Sequence, residues 1–175
     1  QAMRGELDFE QSLRRRVRAL RGVPRDAVDR AAKAVRITDG AEHLVETLVG
    51  HGHYVAAVSG GFHEMVDPLA ETLGLTTQRA NRLEVENGLL TGELEGPVID
   101  ARAKAVALLD WAAQFDVAVE NTVAIGDGGN DVEMLQAAGL GIAFMAKPVA
   151  RAAADVCVDT PDLAQVLSLL GFVDA

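Results

Sequence analysis

Cysteine is almost absent: the 175 residues hold one, Cys157, so an internal disulfide is excluded and a packed core must carry the fold. No apolar run approaches membrane-spanning length. The opening stretch from Gln1 to Arg21 is polar and arginine-rich, with no signal-peptide apolar segment. Basic charge is in deficit. Lys plus Arg number 16 against 26 Asp plus Glu, a formal charge of −10, and such an acidic surface repels phosphate backbones. Neither nucleic acid nor membrane is therefore an expected partner, and the cytosol is the expected compartment. Repeats and low-complexity tracts are missing too. What remains is one domain of ordinary size, or a core with a small accessory piece, long enough to bury a real core.

Two arginine-rich amphipathic helices come first. Phe9, Leu13, Val17 and Leu20 recur at three- and four-residue spacing, and Arg25 to Val35 reads as a second helix after the Gly22-Val23-Pro24 break. Beyond Thr38-Asp39-Gly40 a different cadence sets in. Short apolar runs (Tyr54 to Val58, Thr122 to Ile125, Gly141 to Phe144, Val156 to Val158) alternate with helices over Ala41–Val49, Phe62–Leu73, Ala101–Phe115, Asp131–Ala138 and Asp162–Leu170. That alternation predicts an α/β fold with a parallel sheet covered on both faces. One interruption, Arg82 to Leu94, carries Asn87-Gly88 between alternating segments and predicts a β-hairpin flap.

Ligands in open parallel sheets bind beyond the carboxyl ends of the strands, and two strands end in unusual residues. Gly126-Asp127-Gly128-Gly129-Asn130-Asp131 follows one. Asp127 is placed there as a hard oxygen donor for Mg²⁺, and the glycines let the backbone turn closely around a ligand. The plainer alternative is a turn with Asp131 capping the next helix. Val58-Ser59-Gly60-Gly61-Phe62 ends the other, offering a hydroxyl and glycine N–H groups at a helix start, an anion site. Ser59 reads as a phosphate ligand, because a nucleophile elbow wants glycine where Val58 stands. Lys104, near a helix start, reads from the sequence alone as a surface lysine at small electrostatic cost. Among Arg14, Arg15, Arg16, Arg18 and Arg21, composition does not single out one that grips a ligand carboxylate. His43, His51, His53 and His63 lack metal-ligand spacing, and Cys157 is expected as a small buried hydrophobe. Trp111 and Phe115 share a helix face and are expected in the core.

Taken together, Val58 to Phe62, Lys104, Gly126 to Asp131 and Ala143-Phe144-Met145-Ala146-Lys147-Pro148 resemble the haloacid dehalogenase superfamily. Met3 to Phe9, Ser12 to Val17, Ala80-Asn81-Arg82-Leu83 and Gly88 to Gly92 resemble its branch acting on O-phosphoserine. The resemblance covers essentially the whole chain. It implies a Rossmann-like parallel sheet core with a partial helical cap and a β-hairpin flap, the cap over residues 1–37 and the core over 38–175. It also implies Mg²⁺-dependent hydrolysis of O-phosphoserine, the last step of serine biosynthesis, through a phospho-aspartate. Carried over by position, Asp127 binds Mg²⁺ with Asp131 supporting it. Ser59 and Gly60 hold the phosphoryl group, and Lys104 neutralises it. Arg16 grips the substrate carboxylate, Asn130 lines the phosphate pocket, and Met3 and Phe9 close over the substrate. Gly129 departs slightly, standing where alanine is usual.

A larger departure concerns the nucleophile. The family's Asp-x-Asp-x-Thr motif, on the first core strand, does not occur in these residues, and the general acid/base aspartate goes with it. The resemblance then implies an upstream segment beyond the sequence, with a regulatory domain or a homodimer as further options. Without that central strand, two sheet edges are expected to lie open and the chain not to fold stably. The alternatives are a phosphoester-binding module without turnover, or a phosphatase for another small phosphomonoester.

Overall fold

The computed structural model describes residues 2–172, and side chains over 9–172. Helices α1 (Ala2–Arg18) and α2 (Arg25–Ala32) lead, joined through Gly22 at φ 82, whose N–H donates to the carbonyl of Leu90. Their apolar stripes bury Leu13, Val17 and Val28 in one cluster with Leu83 and Leu90. Each such side chain stabilises by roughly 1.5–3 kcal/mol, which is what seats these two helices on the hairpin. The second helix stops at Ala32, short of the expected Val35.

After α3 (Ala41–Gly50), strand β1 (Ala56–Phe62) runs into α4 (His63–Leu73), then β2 (Thr77–Glu86) and β3 (Leu89–Glu95). The remainder follows as α5 (Ala101–Gln114), β4 (Val123–Gly126), α6 (Val132–Ala137), β5 (Leu140–Phe144), α7 (Pro148–Arg151), β6 (Val156–Val158) and α8 (Gln165–Leu169). The expected flap is present, with Asn87 and Gly88 both at positive φ, 50° and 78°, as a two-residue hairpin turn requires. Its first strand begins earlier than the alternation indicated. The first half of β2 pairs parallel with β1, and only its second half pairs antiparallel with β3.

Strand β1 also differs from its expected span. It starts after Tyr54-Val55 and continues through Ser59-Gly60-Gly61 to Phe62, because β2 provides a partner beyond the apolar run. The register slips there. Ser59 faces Ala80 while Phe62 faces Asn81, so Gly60 and Gly61 bulge out of the ladder.

The strands form two three-stranded sheets, β1-β2-β3 and the all-parallel β4-β5-β6. β1 and β4 each pair on one side, among the described residues, and their other edges line a common groove of ≈ 610 Å³. Apolar side chains wall it, including Leu44, Leu48, Leu108, Trp111 and Val166. The open edges expected from the sequence are therefore visible. Among the described residues no helix is long and apolar enough to cross a membrane.

Three expectations need correction. Cys157 is exposed on β6, because that strand lies at the sheet edge and alternation turns its side chain outward. Phe115 is only half-buried; it ends α5 and stacks on Tyr54 at 4.2 Å, while Trp111 is buried as expected. The last helix starts three residues late, since Asp162 first accepts the N–H of Ala164 in a turn.

Candidate active site

At the end of β1, the Ser59 hydroxyl oxygen accepts a hydrogen bond from the Gly61 N–H at 3.0 Å. One of the two glycine donors is thus used inside the loop, which leaves the Ser59 O–H free to donate into the cavity. No histidine hydrogen-bonds Ser59 among the described residues, so no base is in place to activate it. His63 instead contacts Asp67 and accepts from the Ala80 N–H, a structural role.

Lys104 is carried by α5, whose N-terminus is capped by Asp100, its carboxylate accepting from the Ala103 N–H at 2.8 Å. The expected surface lysine is buried: Lys104 is 6% exposed, and its ammonium donates to Asp131 Oδ1 at 2.5 Å. The conflict with the helix dipole is resolved by this counter-charge.

Asp131 ends a 3-10 turn over Gly129–Asp131 that leads into α6. Its second oxygen accepts from the backbone N–H groups of Asp127 and Gly128, both at 3.0 Å. The side chain thus fastens the loop at Asp127 to Lys104 and, contrary to the plainer expectation, makes no capping hydrogen bond to α6. Burial works against its ionisation, but the Lys104 hydrogen bond and charge, with the two backbone N–H groups, hold the carboxyl below the usual carboxylate range. A Cβ on Gly126 would lie 2.5 Å from the Asp131 Cβ, so only glycine permits this approach. Asp127 remains exposed, and its carboxylate has no hydrogen-bond partner among the described residues.

These elements enclose a cavity of ≈ 390 Å³ lined by Phe9, Val58, Ser59, Gly60, Gly61, Lys104, Ile125, Gly126, Asp127, Asn130, Asp131 and Met134. Seven residues singled out in the sequence thus converge: Phe9, Ser59, Gly60, Lys104, Asp127, Asn130 and Asp131. Arg16 does not line the cavity and is exposed on α1, beside buried Val17. Met3 lies outside the described side chains. Val58 entered only as the residue before Ser59, Ile125 only as the end of an apolar run, and Met134 not at all, yet all three line the cavity. Sequence reasoning also gave no role to Asn81, 2% exposed, whose amide reaches the Gly60 carbonyl.

Residues 2–136 match the model of the haloacid dehalogenase-like hydrolases. The chain belongs to that family. It is 49% identical over 170 residues to phosphoserine phosphatase SerB2 of Mycobacterium tuberculosis, covering 97% of this chain and 42% of that protein. To the phosphoserine phosphatase of Methanocaldococcus jannaschii it is 45% identical, covering 97% of this chain and 81% of the relative. The chain thus spans about half the length of the longer relatives or less, and about four-fifths of the shorter. A phospho-aspartyl intermediate analogue of a phosphoserine phosphatase superposes with a TM-score of 0.88 at 45% identity, covering 96% of this chain and 80% of the other. A substrate-bound phosphoserine phosphatase complex superposes at 0.89, covering 94% and 79%.

Proposed function

We propose that this protein hydrolyses O-phospho-L-serine to L-serine and phosphate, with a divalent cation, Mg²⁺, as cofactor. The observation that carries the reading is the convergence of Ser59, Lys104, Asp127 and Asn130 on one cavity. The similarity to phosphoserine phosphatases narrows the substrate.

The donor set fits Mg²⁺. That ion takes one or two carboxylates and fills its shell with water and substrate phosphate, and Asp127 is a partner-free carboxylate facing the cavity. Asp131 stays behind it, fixing the loop. When bound there, the ion would neutralise developing charge on the phosphoryl oxygens. Phosphoryl transfer needs positioning and charge neutralisation above all. Lys104 supplies one positive charge, held in place by Asp131. Ser59 donates its hydroxyl proton to a phosphoryl oxygen, and the Asn130 amide borders the same space. Phe9 closes the cavity from α1 and limits water. We assign residues 1–37 to a cap and 38–175 to the hydrolase core. Arg16, exposed on that cap, takes the substrate carboxylate when α1 moves inward.

The phosphoryl acceptor of this reading is an aspartate that none of the cavity residues supplies. Asp127 is committed to the cation and Asp131 to Lys104. The groove between β1 and β4 has the two open parallel edges that one extended strand would satisfy. A strand seated there parallel to both would deliver an aspartate at its carboxyl end, beside Ser59 and Asp127. The test is phosphate release from O-phosphoserine in Mg²⁺ and in EDTA, by the 175-residue chain with and without a peptide carrying an Asp-x-Asp-x-Thr strand. Release that needs both peptide and cation is expected. Tight binding with no release under any condition favours the phosphoester-binding module, and release spread over many phosphomonoesters favours a broader phosphatase.

A further inference from the structure

Gly60 sits in the bulge of β1, where the ladder to β2 is interrupted between Ser59 and Phe62. A bulge removes the backbone partners that a regular ladder would provide. The carbonyl of Gly60 is instead satisfied by a side chain: Asn81 Nδ2 donates to it at 2.9 Å. The other end of the same amide, Oδ1, accepts from the Ile99 N–H at 2.8 Å. Ile99 immediately precedes Asp100, the residue that caps α5 and whose carbonyl accepts from the Lys104 N–H. One buried amide, 2% exposed, therefore ties the Ser59-Gly60 loop to the start of the helix that carries Lys104.

The direction of the tie matters as much as its existence. In a trans peptide the carbonyl and the following N–H point oppositely. Holding the Gly60 carbonyl toward β2 turns the Gly61 N–H the other way, and there it donates to Ser59 Oγ. That bond consumes an acceptor position of the hydroxyl and leaves its proton for the cavity. Close packing then leaves little slack. A Cβ on Gly60 would meet Phe9 Cζ at 3.2 Å, the Ile99 carbonyl at 3.6 Å and Asn130 Nδ2 at 3.7 Å.

We propose that Asn81 is a positioning residue for the anion loop: through Gly60 and Ile99 it sets the orientation of the Ser59 hydroxyl and its distance from Lys104. It touches no substrate. The proposal rests on the phosphate-binding reading of the cavity given above and deepens it. Its neighbours Ala80, Arg82 and Leu83 offer no paired donor and acceptor, the Gln78 amide of the same strand donates to Asp67 instead, and aspartate at position 81 would set a carboxylate against the Gly60 carbonyl.

The experiment measures inorganic phosphate binding to the full 175-residue chain by calorimetry, together with hydrogen exchange of the Ile99 amide. Asn81→Asp keeps the acceptor for Ile99 and loses the donor to Gly60. It is expected to leave Ile99 protected while weakening phosphate at least tenfold. Asn81→Ala loses both, so Ile99 protection falls as well. Leu83→Ala, buried in the same strand, serves as the control for plain destabilisation and is expected to leave the phosphate dissociation constant within twofold. If Asn81→Ala does not fold, Asn81→Asp decides alone, compared with Leu83→Ala. Phosphate binding within twofold of the parent in Asn81→Asp overturns the positioning role, as does an equal loss in Leu83→Ala. No phosphate binding by the parent chain overturns the reading of the cavity, and the proposal with it.

Discussion

Lys104 and Asp131 are the buried ion pair on which the cavity's electrostatics depend, and replacing Lys104 with methionine isolates that dependence. The pair is 2.5 Å apart with side chains 8% and 6% exposed, so water cannot take over the lost partner's role. Removing one member of a buried pair costs about 3–5 kcal/mol. Asp131 keeps the N–H groups of Asp127 and Gly128, which places Lys104→Met toward the lower end, about 3 kcal/mol. For a chain of this size that corresponds to a fall in Tm of roughly 6–12 °C. Asp131→Asn retains an acceptor for the two N–H groups but not the charge, and the double variant should recover about 2 kcal/mol of the summed single losses through the removed coupling. Urea unfolding of the four proteins is the assay. A loss below about 1 kcal/mol for Lys104→Met, or strictly additive single losses, would refute a coupled buried pair.

The same pair has a pH signature. Asp131 has a folded value below its ordinary 3.8, so its contribution is present in full above about pH 4 and is lost as pH falls through the folded value. Acid titration of stability should therefore show a steeper loss below pH 4 in the parent than in the double variant; parallel curves contradict this. Met145 holds φ 45 with a side chain left 51% exposed, a left-handed conformation that costs about 1 kcal/mol outside glycine. Met145→Gly should stabilise by about 0.5 kcal/mol in urea after the entropy of glycine is set against that relief, and destabilisation would count against the strain. Gly141→Ala places a Cβ 2.5 Å from the Leu135 carbonyl beside wholly buried Ile142, so Tm should drop by roughly 5 °C or more, and an unchanged Tm rules out the packing described. Ser59→Ala, which keeps the backbone, should weaken phosphate about tenfold, as loss of one charge-assisted hydrogen bond does.

Much of the architecture was legible because the relevant signals are local. Apolar runs between glycine-rich breaks mark strands, and Asn87-Gly88 marks its hairpin by the positive φ both residues must adopt. The paired loops at Ser59 and Asp127 were legible for the same reason, since each lies within six consecutive residues. What stayed hidden is long-range. Lys104 looks like a surface residue until α5 is packed against α6 and Asp131 comes within reach, 27 positions away. Asn81 gains its role only from a bulge in a different strand, 21 positions away in the chain. Cys157 followed a strand composition that fits burial, but the edge position of β6 decided otherwise. Arg16 shows the opposite limit: resemblance points it toward a substrate, while helical geometry beside Val17 leaves it outside the cavity in this conformation.

On the proposed reading, the cavity between Ser59, Lys104 and Asp127 receives the phosphoryl group of O-phosphoserine with a divalent cation. Titrating the 175-residue chain with O-phosphoserine in Mg²⁺, while following backbone amide resonances by NMR, addresses it most directly. Saturable shifts centred on Ser59 to Gly61 and Asp127 to Asp131 are expected, with binding weakened at least tenfold by EDTA or by Lys104→Met. Absent shifts, or shifts centred elsewhere and indifferent to the cation, would contradict it.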